Sequence, residues 1–445
     1  MRIWIKDPLA ILADGAARGL VVENGRIAEL VPAGAEPRLP VDSRFDAGSH
    51  VVLPGLVNSH HHFYQTLTRA CRTALDKELF PWLTSLYEVW AGLTPEAIAT
   101  SSRLALCELL LSGCTTAADH HYIFNDSLAD ALDLQAEAAA EIGMRVTLTR
   151  GSMDLSQKDG GLPPDSVVQP LDTILAHSEA VVGRWHDPAP LSMVQVALAP
   201  TSPFSVTPDL LRESAALAGR LGVRLHTHLA ETQDETRFCL DRFGKRPFDY
   251  LQELGWIGPN AWFAHGIWFD DAEIARLGAA GAGIAHCPAS NMLLASGFCR
   301  TMELEAAGAA IGLAVDGSAS NDCSSLIAEA RLALLLNRVA PHGYRVSHRD
   351  VLRWATEGSA RCLGRDDIGR LAPGCAADLA LFGMDDIQFA GADDPLAALL
   401  LAGATRADRV MVAGRWLVED GAIPGIDLPA LMARQRNLAR RLVGA

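Results

Sequence analysis

The sequence lacks a Cys-x-x-Cys pair, an apolar run of bilayer length, an excess of basic residues and any low-complexity tract. Each absence removes a class of protein. The nine cysteines (Cys71, Cys107, Cys114, Cys239, Cys287, Cys299, Cys323, Cys362, Cys375) are odd in number, dispersed, and mostly in apolar segments. They read as reduced core thiols of a cytoplasmic protein, not as a zinc finger or a disulfide framework. No stretch is apolar for long enough to span a membrane, and Met1-Arg2-Ile3-Trp4-Ile5-Lys6-Asp7 lacks the form of a signal peptide. The formal charge of −15 argues against nucleic acid or an anionic membrane as partner, because both need basic patches. A small-molecule substrate stays open.

What is present is a long, ordinary globular chain: 445 residues, 49% hydrophobic, enough for one large domain with a smaller one. The N-terminus reads as strands and turns, with Gly19–Ile27 forming a hairpin at Asn24-Gly25. Gly369–Phe382 and Val410–Val418 have the same character, and so few strands need partners from the far end of the chain. A small β-sandwich is therefore expected from residues 1–52 and 369–445, the latter ending in a helix, around a large domain at 53–368. In that large domain apolar runs alternate with helical segments. The runs are Val51–Val57, Thr115–Ala118, Arg145–Thr149, Val194–Ala199, Arg224–His228, Ala261–His265, Gly283–His286 and Ile311–Val315. Helices are expected at Glu96–Leu111, Ser127–Ile142, Pro208–Leu221, Asp271–Ala279 and Ser325–Asn337. Strand–helix alternation repeated eight times predicts an α/β fold, a closed (β/α)8 barrel.

Barrel enzymes carry their chemistry at the C-terminal ends of the strands, and most of the fourteen histidines fall there. The first strand ends in His60-His61-His62, the second in Asp119-His120-His121 and the fifth in His226-Thr227-His228, with Glu231 following. The sixth, seventh and eighth end in His265, His286 and Asp316. Residues two apart on a strand share a face, so His60 and His62 project together while His61 turns away as a spacer. Paired neutral imidazoles suit zinc or iron. Several buried imidazoles without partners would each cost about 1–3 kcal/mol, and a shared ion removes that cost.

Pro-Gly-Leu-Val-Asn-Ser-His-x-His from Pro54, His228-x-x-Glu231, Ala264-His265-Gly266 and Val315-Asp316-Gly317, in this order, resemble the amidohydrolase superfamily. Gly369-Arg370-Leu371 through Asp378-Leu379 resembles its C-terminal β segment. The chain is most similar to the mononuclear-metal deaminase branch, since no strand ends in a lysine placed to bridge two metals. The resemblance implies metal ligands His60, His62, His228 and Asp316 for one divalent ion, Zn2+ or alternatively Fe2+. His226 shares the face of His228, and it is the motif, counting back from Glu231, that selects His228. The resemblance further implies that Glu231 protonates a substrate ring nitrogen, Asp316 takes a proton from the attacking water, and His265 steadies the developing charge.

Beyond the motif, Gln65 offers a donor and an acceptor side by side, suited to a lactam edge. Trp82, Tyr87 and Trp90 are candidates to stack on a flat ring, and His121 is a further candidate for the pocket. The run Asn58–Ala70 is most similar to deaminases of 8-oxoguanine, whose products are urate and ammonia. Isoxanthopterin, guanine or a hydroxylated triazine amine are alternative substrates. A metal-bearing binding protein without catalysis is the alternative of another class, and the joint presence of Glu231, His265 and Asp316 argues against it. By analogy a homo-oligomer is expected.

Overall fold

The computed structural model describes residues 1–341 and 346–444. Eight parallel strands follow one another around a barrel in chain order: β1 (Leu56–Asn58), β2 (Cys114–His121), β3 (Arg145–Ser152), β4 (Val194–Pro200), β5 (Leu225–Leu229), β6 (Ala261–His265), β7 (Gly283–His286) and β8 (Ala310–Leu313). The ring closes where Ser59 N donates to Leu313 O at 3.1 Å and Val315 N donates to Asn58 Oδ1 at 2.9 Å. Strands covered on both faces need no polar side, which is why β2 and β3 are buried along their whole length.

The helices between them begin at strong local signals. Thr94 accepts a hydrogen bond from Ala97 N to start Pro95–Leu111, and Thr207 does the same with Leu210 N for Pro208–Leu221. Asp270 and Glu273 form a reciprocal capping box at the start of Asp271–Ala279. The helix expected from Ser127 begins instead at Ala131. Ser127 N and Oγ both donate to Asn125 Oδ1, so the side chain of Asn125 builds a turn there.

One expected strand is two. His50–Pro54 pairs antiparallel with Leu379–Gly383 in a terminal sheet, and only Leu56–Asn58 enters the barrel. The chain changes sheet at Gly55, whose N donates to Asp378 O at 2.8 Å. A Cβ there would collide with the side chain of Thr115, so this close approach requires glycine.

The chain ends make two further sheets. Arg26–Leu30, Gly19–Glu23, Arg2–Lys6 and Ser43–Asp46 form one; Arg415–Val418, Arg409–Val412, Leu379–Gly383, His50–Pro54 and Ala10–Ile11 form the other. Ile3, Ile5, Leu20 and Val22 of the first pack with Val52, Leu379, Leu381 and Met411 of the second, which is a sandwich core. Of Gly369–Phe382, read above as a hairpin, only the part from Leu379 is strand; the turn before it docks on the N-terminal hairpin through Ile27 N to Cys375 O at 2.9 Å. A final helix, Leu428–Val443, packs beside Pro95–Leu111 and hydrogen-bonds Thr66 Oγ1 through Gln435 Nε2 at 3.0 Å.

Candidate active site

The histidine triplet is held by the two residues before it. Asn58 Nδ2 donates to His60 O at 3.1 Å while its Oδ1 takes part in barrel closure, and Ser59 Oγ donates to Leu313 O. Alternation then operates as expected. His60 and His62 point into the mouth of the barrel, whereas His61 accepts His62 N on Nδ1 at 2.7 Å and packs against Phe63.

Three imidazoles present Nε2 to one point. His62 Nδ1 meets His120 O at 2.7 Å and His228 Nδ1 meets Thr201 O at 2.7 Å, so each donates its proton to a carbonyl and leaves Nε2 as a lone pair. His60 Nε2 is buried with no hydrogen-bond partner among the described residues. Burial holds His60 well below the usual imidazole range and His228 down to about 3, so both rings are neutral. The four atoms stand close: His60 Nε2 to Asp316 Oδ1 3.2 Å, His62 Nε2 to the same oxygen 3.3 Å, and His62 Nε2 to His228 Nε2 3.3 Å. Lone pairs facing lone pairs do not satisfy one another, but a cation satisfies all. The spacing also matches the edge of about 3.3 Å expected of a tetrahedron with bonds of roughly 2.0–2.1 Å. Two overlapping sets here, His60, His62, His120 and His228, and His60, His228, His265 and Asp316, bring their ligand atoms within 4.8 Å of one another, so the residues present fit a divalent metal.

Beside this cluster stand the two other rim residues. His265 Nε2 lies 3.5 Å from Glu231 Oε2 and 3.8 Å from Asp316 Oδ2, while its Nδ1 donates to Asn291 Oδ1 at 2.9 Å. Glu231 is buried, touched by Ser296 Oγ at 3.5 Å, and its backbone is gripped by Glu235, which accepts Ala230 N and Glu231 N at 2.8 and 2.7 Å. Burial, reinforced by the charge of Asp316, raises the Glu231 carboxyl well above the ordinary range, which favours its protonated form. Ala230, His265 and Asp316 all have positive φ, at 54°, 75° and 62°. For non-glycine residues that costs about 1–3 kcal/mol each and marks a rim shaped for the placement of side chains.

A cavity opens onto these groups. His62, His228, Glu231, His265 and Asp316 line one side, with Gln65, Trp82 and Tyr87 among the residues of the remaining wall. Gln65 Oε1 is buried without a partner among the described residues, and its Nε2 donates to Tyr122 OH at 3.4 Å. The fit is tight, because a Cβ on Gly317 would collide with Gln65 Oε1. Trp82 is anchored by Nε1 donating to Ala319 O at 3.2 Å.

Three expectations need correction or completion. His121 lies outside the cavity lining, packed edge-on against Tyr64 and Phe124. Alternation along β2 turns His120 inward and His121 outward, the same rule that removed His61. Trp90 lies one layer back, against Tyr64 and Trp82, and donates to Thr68 Oγ1. His226 has no free nitrogen, for Nδ1 meets Trp262 O at 2.9 Å and Nε2 meets His60 Nδ1 at 2.7 Å. Tyr122, Ser202, Phe204, Leu294 and Ser320 also line the cavity and went unread in the sequence. Only Tyr122 carried a signal, being two residues beyond the inward-facing His120.

The amidohydrolase family profile matches residues 51–417. An 8-oxoguanine deaminase of Pseudomonas aeruginosa is 61% identical over 445 residues, covering 99% of each chain. An isoxanthopterin deaminase from an unknown prokaryotic organism is 35% identical over 430 residues, 92% of this chain and 89% of its own. An atrazine chlorohydrolase of Arthrobacter aurescens, solved as a zinc complex, superposes with a TM-score of 0.92 at 32% identity, over 98% of this chain and 100% of its own. The chain belongs to the amidohydrolase family.

Proposed function

From that membership we propose that the protein is a metal-dependent hydrolytic deaminase that converts 8-oxoguanine and water to urate and ammonia. The observation that carries this reading is a buried Glu231 carboxyl, held above its ordinary range by burial, facing the same cavity as His62, His228, His265 and Asp316. The 8-oxoguanine deaminase at 61% identity supports the choice of substrate.

His60, His62, His228 and Asp316 are the proposed ligands, and zinc, with iron as second choice, is the proposed metal. When bound, zinc would lower the pKa of a water to about 7 and so supply a nucleophile at neutral pH. The remaining work belongs to the chain. Trp82 and Tyr87 wall the purine, and Gln65 meets its lactam edge with an acceptor and a donor. Glu231 gives its proton to the ring nitrogen beside the amino-bearing carbon, which makes that carbon electrophilic. His265, oriented by Asn291, stands over the developing charge. Oxygen from water replaces the amino nitrogen at that carbon. Of the two water protons, one leaves with ammonia by way of Asp316 and the other restores Glu231.

The test is ammonia release by zinc-supplemented protein offered 8-oxoguanine, isoxanthopterin and guanine in parallel. Turnover with 8-oxoguanine at the highest kcat/KM is expected. Release from isoxanthopterin alone would replace the substrate and keep the chemistry, a second reading favoured by the relative at 35% identity. Silence with every heterocycle would refute the deaminase.

A further inference from the structure

Behind His60 the hydrogen bonds form a closed circuit through three segments. Trp262, on β6, donates Nε1 to Ser59 O at 3.0 Å, next to His60 in the chain. His226, on β5, meets the carbonyl of Trp262 with Nδ1 at 2.9 Å, and its ring stacks on the indole at 4.3 Å between centroids and 17° between planes. His226 Nε2 meets His60 Nδ1 at 2.7 Å. All of these groups are buried.

The protons in this circuit follow from the one partner that has no choice. A carbonyl only accepts, so His226 Nδ1 carries the proton and donates to Trp262 O. The neutral His226 Nε2 is then an acceptor, and among the described residues the donor facing it is His60 Nδ1. With its proton committed there, His60 has a free lone pair on Nε2, the atom that faces Asp316 Oδ1 at 3.2 Å. His62 and His228 reach the same tautomer by direct donation to backbone carbonyls. His60 is the one imidazole of the three whose tautomer is set by another side chain, and such outer partners orient ligands and raise their basicity.

We propose that His226 is a positioning residue for metal binding: through Trp262 it fixes the Nδ1–H tautomer and ring plane of His60. The proposal rests on the metal-binding part of the function above and is independent of the substrate. It accounts for the first histidine of His226-Thr227-His228, which the ligand set leaves without a task.

The test measures zinc affinity in metal-depleted protein by competition with a chromophoric chelator, without substrate. His226→Leu removes the acceptor and is expected to weaken zinc binding by about 10–100-fold. His226→Gln, with an amide oxygen for His60 and an N–H for Trp262 O, is expected to recover most of that loss. Thermal melts of the metal-free variants separate positioning from folding. Zinc affinity of His226→Leu within about threefold of the parent protein overturns the proposal, by the same outer-partner scale. So does equal damage in both variants with unchanged melting. Should His226→Leu not fold, the ¹⁵N shifts of His60 in the metal-free parent decide: a proton on Nδ1 supports the assignment and a proton on Nε2 overturns it. Normal zinc behaviour in these assays with no heterocycle turned over would sink the deaminase reading and leave this assignment standing.

Discussion

Two buried polar clusters at opposite ends of the barrel are matched in opposite ways. At the end that meets the β-sandwich, Arg145 is fully buried and fully engaged. Its guanidinium lies 3.2 and 3.3 Å from the two carboxylate oxygens of Asp378 and donates to Leu191 O and Ser192 O at 2.6 Å. Asp378 in turn accepts Ala413 N at 2.7 Å. At the other end His60 Nε2, His120 Nδ1 and Gln65 Oε1 are buried with no partner among the described residues, and three non-glycine residues hold positive φ. A buried polar group left unmatched costs about 1–3 kcal/mol. The Arg145–Asp378 pair is therefore satisfied by the chain itself, whereas the unmatched rim groups stand where a metal or substrate would complete them. Substitutions at the first should be felt in stability, and at the second in metal, substrate or turnover.

The sharpest separation is expected at Glu231. Glu231→Gln keeps the shape and removes the proton donor, so kcat should fall by about 10²–10⁴-fold while zinc content measured by atomic emission is unchanged. The carboxyl sits above its ordinary value near 4.5 because of burial and the charge of Asp316. A carboxyl whose folded pKa exceeds its unfolded one favours folding at low pH, and that advantage is lost as pH rises beyond the unfolded value. The metal-free Gln variant should thus lose less stability than the parent between pH 5 and 8, read by urea titration at each pH. Loss of zinc from the variant would mean that Glu231 is a ligand and that the division of roles is wrong.

The opposite end should invert this pattern. Arg145→Met strands the Asp378 carboxylate in the interior, and breaking a buried pair from one side costs about 3–5 kcal/mol. Folded protein should still bind zinc and turn over with an unchanged kcat. A variant that melts like the parent, or one that loses kcat while folded, would erase the contrast between the ends.

How far this division could be read in advance depends on the kind of information each residue carries. The barrel was legible because its strands alternate with helices that start at Thr94, Thr207 and Asp270, all local signals. The sheet switch at Gly55 was not, because the need for glycine comes from Thr115, distant in sequence. At the rim, His60 and His62 followed from period two together with the motif, and the same period applied to β2 would have chosen His120 over His121. Leu294 and Phe204 reach the cavity from loops, where no periodicity points.

Gly317 offers a smaller effect confined to the substrate wall. Gly317→Ala pushes a methyl group into Gln65 Oε1 and should displace the amide from the cavity. A raised KM for 8-oxoguanine of about tenfold, of the order of one lost hydrogen bond, is expected with zinc binding intact. An equal fall in kcat with KM unchanged would instead place Gln65 in the chemical step.

The smallest effect is expected at His121, the residue that the sequence put at the pocket and the structure puts behind it. Both ring nitrogens are buried without a partner among the described residues, and burial holds the ring down to about 3, so it is neutral throughout the working range. An aromatic ring of similar shape with no polar atoms removes two unmatched groups and adds none, which makes exchange neutral or stabilising. His121→Phe should keep kcat/KM for 8-oxoguanine within about threefold of the parent, well short of the roughly tenfold that 1.4 kcal/mol represents. It should also melt no lower. A large loss of kcat/KM with zinc retained would return His121 to the substrate site and show that the unmatched groups on β2 serve binding as do those of the rim.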